Sequence, residues 1–235
     1  MKQEVIGRFE KELSFLINQL YEINSYKLLH KHLYTKKNDP LFLSAMNKAP
    51  AFFGLTIHSY QHMFIVGLSK LCEERNSNGT NIYSFLNYIE KNHPLIFPNC
   101  SNKEKQYTPE KTMDVSPKMY ETEMDLILNI PKTKIDVALI KEHRTQLNEY
   151  TDCINNLLAW RDKSFAHYDK EYIGESIEKM GEKYRIKYGD LSELISLIGK
   201  ILNSYQSAYY DSTTSIIPAN TYDVDNVLQA LLHQQ

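Results

Sequence analysis

Residues 140–167 read IKEHRTQLNEYTDCINNLLAWRDKSFAH, and their apolar pattern decides the fold class. The apolar positions recur every seventh residue, at Ile140, Leu147 and Ile154. This period predicts a long helix over about 132–166 that buries one seam. The next position in the register is Arg161, whose guanidinium cannot lose its proton and needs a partner when buried. Arg161 therefore reaches solvent at the helix end, pairs with Asp162 or Asp169, or belongs to a site.

The remainder of the chain also predicts helices. Apolar periodicity and stop signals place them at about 3–34, 40–48, 51–75, 81–92, 118–129, 190–209 and 223–233. Asp39 and Pro40 are a typical N-cap and first-turn proline. No segment alternates apolar and polar residues for long enough to predict a strand. We therefore expect an all-α bundle that forms a single domain over 1–235, with a core at about 50–210.

Two stretches of the sequence predict irregular structure. Residues 93–118 contain four prolines and no helical period, which predicts a loop insertion that begins where Pro94 ends its helix. The charged stretch up to Gly189 is also irregular. Asp190 followed by Glu193 then resembles a capping box, which predicts the start of the next helix.

Composition limits the classes of function. The net charge of −2 gives no global basic field, so a nucleic-acid site would have to be a local patch. Cys72, Cys100 and Cys153 form no CxxC pair, so we expect no disulfide framework, no cysteine zinc site and a reducing, cytoplasmic location. No signal-peptide core and no run of eighteen apolar residues is present, so we expect no membrane contact.

The spacing between Arg161 and His167 constrains any shared site. On a continuous α-helix, six residues separate two side chains by about 120° in rotation and about 9 Å along the axis. The two side chains then share no face. They converge only if the helix ends near Ala166, or if a second copy of the chain completes the site.

The letters around this pair resemble a known family. RDKSFAH is similar to the Arg-x4–6-His signature of HEPN domains, and the seam-helix end LLAWRDKSFAHYDK resembles the abortive-infection, AbiU-type branch. Upstream, GLSKLCEERNSNGTNIYSFLNYI resembles a helix end and helix start of that branch. Downstream, YGDLSELISLIGKIL resembles its closing helix. The resemblance spans about residues 50–210.

The resemblance implies a HEPN-like bundle that dimerises and brings two Arg–His motifs into one cleft. Many HEPN domains are metal-independent ribonucleases that act as toxins or in phage defence. Carried over, His167 is the general acid or base, Arg161 is the phosphate clamp and Asp162 is the orienting group, at a position where many relatives have asparagine. The alternative is a non-enzymatic module that binds RNA, a nucleotide or a protein in the same cleft.

Other residues near the motif are candidates for binding substrate. Lys163 and Tyr168 follow Arg161, and Lys70 lies where the resemblance leads one to expect an arginine, although a solvated lysine there is the simpler interpretation. We expect RNA, a second copy of the chain and an antitoxin or regulatory protein as partners. Some HEPN toxins carry a tyrosine two residues after the histidine that a partner enzyme modifies. Here that position is Asp169, so the scheme is not supported.

Two further clusters have simpler explanations than a site. His58 and His62 have the spacing of a zincin helix, but Ser59 replaces the catalytic glutamate. We therefore expect histidines that make hydrogen bonds inside the bundle or flank the RNA cleft, and no metal or other cofactor. The N-terminal cluster YKLLHKHLYTKK carries Lys27, Lys31, Lys36 and Lys37. It is either a phosphate-contact patch or a solvated helix end.

Overall fold

Every regular element that the structure describes is helical, which confirms the all-α prediction. The computed structural model describes residues 2–74, 79–98, 134–166, 177–218 and 223–233. The helices are α1 (Lys2–Lys36), α2 (Pro40–Met46), α3 (Pro50–Leu71), α4 (Ile82–Ile96), α5 (Val137–Asn148), α6 (Thr151–Trp160), a π-helical turn (Arg161–Ala166), α7 (Ile177–Lys183), α8 (Tyr188–Tyr210) and α9 (Asp223–His233). None of these described helices is long and apolar enough to cross a bilayer.

Helix α1 lies against α3, α4 and α8 and supplies one side of the main core. Its predicted apolar face is fully buried, with Phe9, Leu13, Leu16, Leu20 and Ile23 each at most 3% exposed. The face repeats every three or four residues, which is the spacing that keeps side chains on one side of an α-helix. Helix α1 lies outside the predicted range of 50–210 and contributes this face to the main apolar core.

A second, smaller cluster closes one end of the bundle. It joins the end of α1 and the start of α3 to α2 and α9, through Leu33, Ala45, Met46, Phe53 and Leu228. Asp39 caps α2 as predicted, since its side chain accepts a hydrogen bond from the N–H of Leu41 at 2.9 Å and Pro40 follows it.

The predicted seam helix is interrupted. The helix starts at Val137, capped by Asp136, and stops at Asn148. Near the break the N–H of Tyr150 bonds to the carbonyl of Leu147 at 3.1 Å, and the hydroxyl of Thr151 bonds to the carbonyl of Asn148 at 2.6 Å. These short-range bonds compete with the i→i+4 ladder, so a single helix over 132–166 is wrong. The seam survives, because Ile140, Leu147 and Ile154 are all buried.

Pro94 does not end its helix, because α4 continues to Ile96. Proline lacks the N–H that would bond to the carbonyl of Glu90, four residues earlier. Nδ1 of His93 bonds to that carbonyl instead, at 3.1 Å. Residues 93–96 of the predicted loop are therefore helical. Residues 99–133, which include the rest of that loop and the predicted helix over 118–129, lie outside the described residues.

Two expectations before α8 are wrong. The stretch expected to be irregular contains α7, and α8 begins at Tyr188, two residues before the predicted Asp190 capping box. Lys187 is the N-cap and makes no side-chain capping bond. The carboxylate of Glu193 accepts a hydrogen bond from the hydroxyl of Tyr150 at 3.4 Å. Glu193 thus makes a tertiary contact and not the predicted local capping bond.

Candidate functional site at the end of the seam

Three contacts fix the end of α6, where the candidate motif begins. Leu157 is fully buried in the main core. The indole N–H of Trp160 donates to the carbonyl of Tyr184 at 2.7 Å, and the side-chain amide of Asn156 donates to the carbonyl of Arg185 at 3.1 Å. These bonds tie α6 to the segment that leads into α8. They thereby fix the place of Arg161, which follows Trp160 directly in the chain.

The C-terminal end of α3 lies beside this point, because α3 packs against both α6 and the π-helical turn. Cys72 ends α3, is 1% exposed, and donates its backbone N–H to the carbonyl of Leu68 at 3.0 Å. The buried Cys72 anchors the next residue, Glu73, at the edge of the core. Glu73 is half-buried, whereas Glu74 is exposed.

Two carboxylates hold the guanidinium of Arg161. Its Nη1 lies 2.7 Å from Oε2 of Glu73, and its Nη2 lies 3.0 Å from Oε1 of the same residue. Its Nε donates to Oδ1 of Asp162 at 2.7 Å. The side chain of Arg161 is 13% exposed. The hydrogen bonds to Glu73 raise the pKa of Arg161, burial opposes that rise, and the bond to Asp162 adds to it.

The arrangement explains the arginine in the seam. Arg161 stays charged although it is half-buried, because it bonds to Glu73 and Asp162, and charge-assisted bidentate bonds are the strongest that an arginine makes. The pairing with Asp162 is one of the alternatives that the sequence left open. The three side chains together carry a net charge of −1. A phosphate therefore gains two parallel bonds to Arg161 only if one carboxylate moves away.

The turn that follows Arg161 is not an α-helix. Arg161–Ala166 forms a π-helix, with i→i+5 hydrogen bonds. The rotation of about 120° between Arg161 and His167 assumed α-helical geometry, so it does not apply to this turn. His167 and Tyr168 lie outside the described residues, as does Asp169.

The predicted substrate-binding lysines lie on the two elements that meet at Arg161. Lys163 is half-buried on the π-helical turn, with its Nζ 5.8 Å from the centre of the Tyr184 ring. Lys70 is exposed in the last turn of α3, three residues before Glu73. The described site thus brings together Arg161, Asp162 and Glu73, with one lysine on each contributing element.

The two other clusters that the sequence suggested, the His58–His62 pair and the N-terminal lysines, lie at α3 and α1. His58 is exposed and His62 is half-buried on α3. No group of three or more histidine, cysteine or acidic side chains in the described ranges is arranged to hold a metal ion. Lys27 of the N-terminal cluster is 5% exposed and donates to the hydroxyl of Ser192 at 2.9 Å. Lys36 pairs with Asp225 at 3.1 Å.

Sequence reasoning missed Glu73. A buried arginine requires an acidic partner, and the letters CEER follow α3 directly, so the signal was present. The sequence offers Glu73, Glu74, Asp162 and Asp169 as candidates and gives no basis for choosing among them. The choice depends on which carboxylate lies beside Arg161, and only the packing of α3 against α6 decides that.

One comparison with known proteins gave a match. A HEPN-type family model described as AbiU2 matches residues 3–229, which is nearly the whole chain. No curated protein and no solved structure matched the chain. The matched range contains all of α1 but its first residue, every helix from α2 to α8, the π-helical turn and most of α9. The chain therefore belongs to the HEPN AbiU2 family.

Proposed function

We propose that the protein is a metal-independent endoribonuclease of a phage-defence or toxin–antitoxin system. The observation that carries the proposal is the placement of Arg161, which is half-buried, held by two carboxylates and located six residues before His167 in a HEPN AbiU2 chain. The proposed location is the cytoplasm, where RNA is present and free cysteines such as Cys72 and Cys153 remain reduced.

The proposed chemistry needs only side chains of this family motif. His167 acts as a general base on the ribose 2′-hydroxyl, whose oxygen attacks the adjacent phosphorus atom as the bond to the 5′-oxygen breaks. The 5′-oxygen leaves with a proton from a general acid, the role of the second histidine in a paired site. The products are a 2′,3′-cyclic phosphate and a 5′-hydroxyl. Arg161 stabilises the negative charge that develops on the phosphate.

We further propose a homodimer, since one chain contains one Arg–His pair and the acid and base steps need two histidines. Helix α3, which leads to Glu73, has an exposed apolar face that supports this. Phe52, Leu55 and Met63 are 61%, 69% and 48% exposed and lie on one side of the helix. Exposed apolar surface of this kind marks contact sites. Substitution of Leu55 by Lys is expected to shift the protein towards monomer in light scattering.

The second candidate is a binding module without nuclease activity. A specific observation favours it: both edges of the guanidinium that bind an oxyanion bidentately already contact carboxylates. In this case Arg161 is mainly a structural residue, and the same surface contacts RNA, a nucleotide or a regulatory protein.

RNA cleavage in excess EDTA separates the two candidates. Wild-type protein is compared with Arg161→Lys, Arg161→Ala and His167→Ala, each checked for helicity and oligomeric state. Arg144→Ala is a matched control, because it removes another Arg–Glu pair, with Glu90 at 2.9 Å. We expect cleavage by the wild type and the control, and its loss in the Arg161→Ala and His167→Ala variants. Intact RNA after exposure to folded, dimeric wild type would favour the binding module.

A further inference from the structure

The two carboxylates that hold Arg161 are not equivalent. Glu73 comes from the end of α3, is anchored by the buried Cys72 beside it, and binds through both oxygens. Asp162 is the neighbour of Arg161 in the chain and binds through one oxygen. The side chain of Asp162 is 53% exposed, against 24% for Glu73. Asp162 is therefore the carboxylate that can turn into solvent.

The geometry of the Arg161 guanidinium shows which N–H donors would face solvent if Glu73 or Asp162 moved away. Glu73 occupies the end of the fork, between Nη1 and Nη2. Asp162 occupies the side edge through Nε alone. On that side edge, the second N–H of Nη2 runs parallel to the Nε–H. If Asp162 turns away, two parallel donors face solvent while Glu73 still fixes the plane of the guanidinium.

Displacement of Glu73 would have the opposite consequence. Arg161 would lose two of its three bonds to side chains, and a half-buried carboxylate would be left behind. A buried charge that loses its partner is strongly unfavourable, whereas an exposed carboxylate that loses one bond is rehydrated. An incoming oxyanion therefore meets the least resistance at the side edge.

We propose that Glu73 is a positioning residue that holds the Arg161 guanidinium in place, and that Asp162 occupies the side edge until an RNA phosphodiester displaces it. The proposal deepens the proposed function and rests on it for the identity of the ligand. The difference between a fixed carboxylate, Glu73, and a displaceable one, Asp162, is inferred only from their contacts with Arg161 and their exposure. A phosphate ion tests it without any cleavage.

The decisive pair of variants is Asp162→Asn and Glu73→Gln. Each replaces a carboxylate by an amide of nearly the same shape and removes one negative charge beside Arg161. A general effect of charge would therefore strengthen phosphate binding in both. The proposal expects opposite signs. In Asp162→Asn a neutral amide oxygen holds the side edge more weakly than the carboxylate did, so phosphate displaces it more easily, whereas Glu73→Gln loosens the guanidinium. Asp152→Asn, at an exposed position on α6, controls for the change in net charge.

The measurement is the Nε–H resonance of Arg161 in nitrogen-15-labelled full-length protein, assigned by its loss in Arg161→Lys, during titration with inorganic phosphate. Relative to wild type, we expect phosphate to bind about threefold or more tightly to Asp162→Asn, a change of the size that an exposed ion pair supports. We expect weaker binding and faster rotation of the guanidinium in Glu73→Gln. Asp152→Asn should match the wild type.

Three results overturn the proposal. They are unchanged or weaker phosphate binding in Asp162→Asn, tighter binding in Glu73→Gln, and a resonance that phosphate does not move in any variant. If Glu73→Gln does not fold, Asp162→Asn decides alone, since its side chain is exposed. When RNA is cleaved, a lower KM in Asp162→Asn and a lower kcat in Glu73→Gln provide a second test. If RNA is not cleaved but phosphate binds more tightly to Asp162→Asn and more weakly to Glu73→Gln, the nuclease proposal is rejected and the positioning role of Glu73 stands.

Discussion

Polar side chains that are wholly or mostly shielded from water are accommodated in two different ways in this bundle. Arg161 remains charged and contacts carboxylates, whereas His143 remains neutral and contacts a hydroxyl. His143 is 7% exposed, and its Nδ1 lies 2.9 Å from the hydroxyl of Tyr205. Burial lowers the pKa of His143 to about 4 and raises that of Tyr205. Neither side chain carries a charge at neutral pH.

The low pKa of His143 predicts a loss of stability in mild acid. In the unfolded chain the His143 side chain has a pKa of about 6.5, so it is protonated below that pH. In the folded chain it is protonated only below about pH 4. The free energy of unfolding therefore falls as pH decreases through this window, by up to about 3 kcal/mol. His143→Gln keeps a polar partner for Tyr205 and cannot titrate. Urea unfolding between pH 4 and 7 should show a shallower slope in this variant.

An equal slope in wild type and His143→Gln would contradict the prediction. His30, which is half-buried, has a pKa that burial also lowers, so a weaker slope of the same sign should remain in the variant.

At the residue scale the sequence predicted that Arg161 requires a partner. It could not identify Glu73 or the neutral His143–Tyr205 pair, because both depend on which helices come into contact.

Helix α3 contains two glycines with opposite surroundings. A Cβ added to Gly67 would lie 2.8 Å from Cγ1 of Ile23, a buried side chain of α1. A Cβ added to Gly54 would meet nothing within 4 Å. Gly67 is therefore the point at which α1 and α3 approach closely, and Gly54 is an exposed helical position.

The two glycines form a matched pair of substitutions. Gly67→Ala should destabilise the protein, because overpacking costs about 1–3 kcal/mol and outweighs the gain in helix propensity. Gly54→Ala should stabilise it by up to about 1 kcal/mol, since the alanine restricts the unfolded chain and contacts nothing. Thermal unfolding followed by circular dichroism measures both. A higher melting temperature for Gly67→Ala would show that Ile23 rearranges at no cost.

At the scale of elements, periodicity predicted the existence of most helices and local side-chain chemistry decided their ends. The face of α1 and the cap at Asp39 followed from the letters alone. The ring of His93 bonds to the carbonyl that Pro94 leaves without its helical partner, and Glu193 bonds to Tyr150 and does not form the predicted capping box. Such contacts link a helix end to atoms that a sequence pattern does not represent.

At the scale of the whole molecule, two apolar clusters share α1 and α3 but differ in size. The smaller cluster holds α2 and α9 at one end of the bundle. Asp225 of α9 reinforces it, with His32 at 2.8 Å and Lys36 at 3.1 Å. Burial raises the pKa of Asp225, but the bonds from His32 and Lys36 outweigh that effect and hold it below its ordinary value.

Substitution of Asp225 should loosen this end of the molecule without unfolding the main core. Asp225→Asn removes the charge that pairs with α1, so we expect faster amide exchange in α2 and α9 and unchanged protection in α8. Acid should act like the substitution, since the stabilisation is lost as pH falls through the lowered pKa. Hydrogen exchange read by mass spectrometry checks both statements. Uniformly faster exchange in all helices would indicate a single cooperative unit.

The contact between Glu73 and Arg161 joins residues 88 positions apart in the chain. Closing so long a loop is slow compared with forming helical turns, so this pair is expected to form late, after the folding transition state. Interactions that form late govern how long the native state survives. Glu73→Gln should therefore speed unfolding in stopped-flow experiments and leave the refolding rate nearly unchanged. On this expectation the Glu73–Arg161 pair at the candidate site slows unfolding and so lengthens the lifetime of the folded molecule.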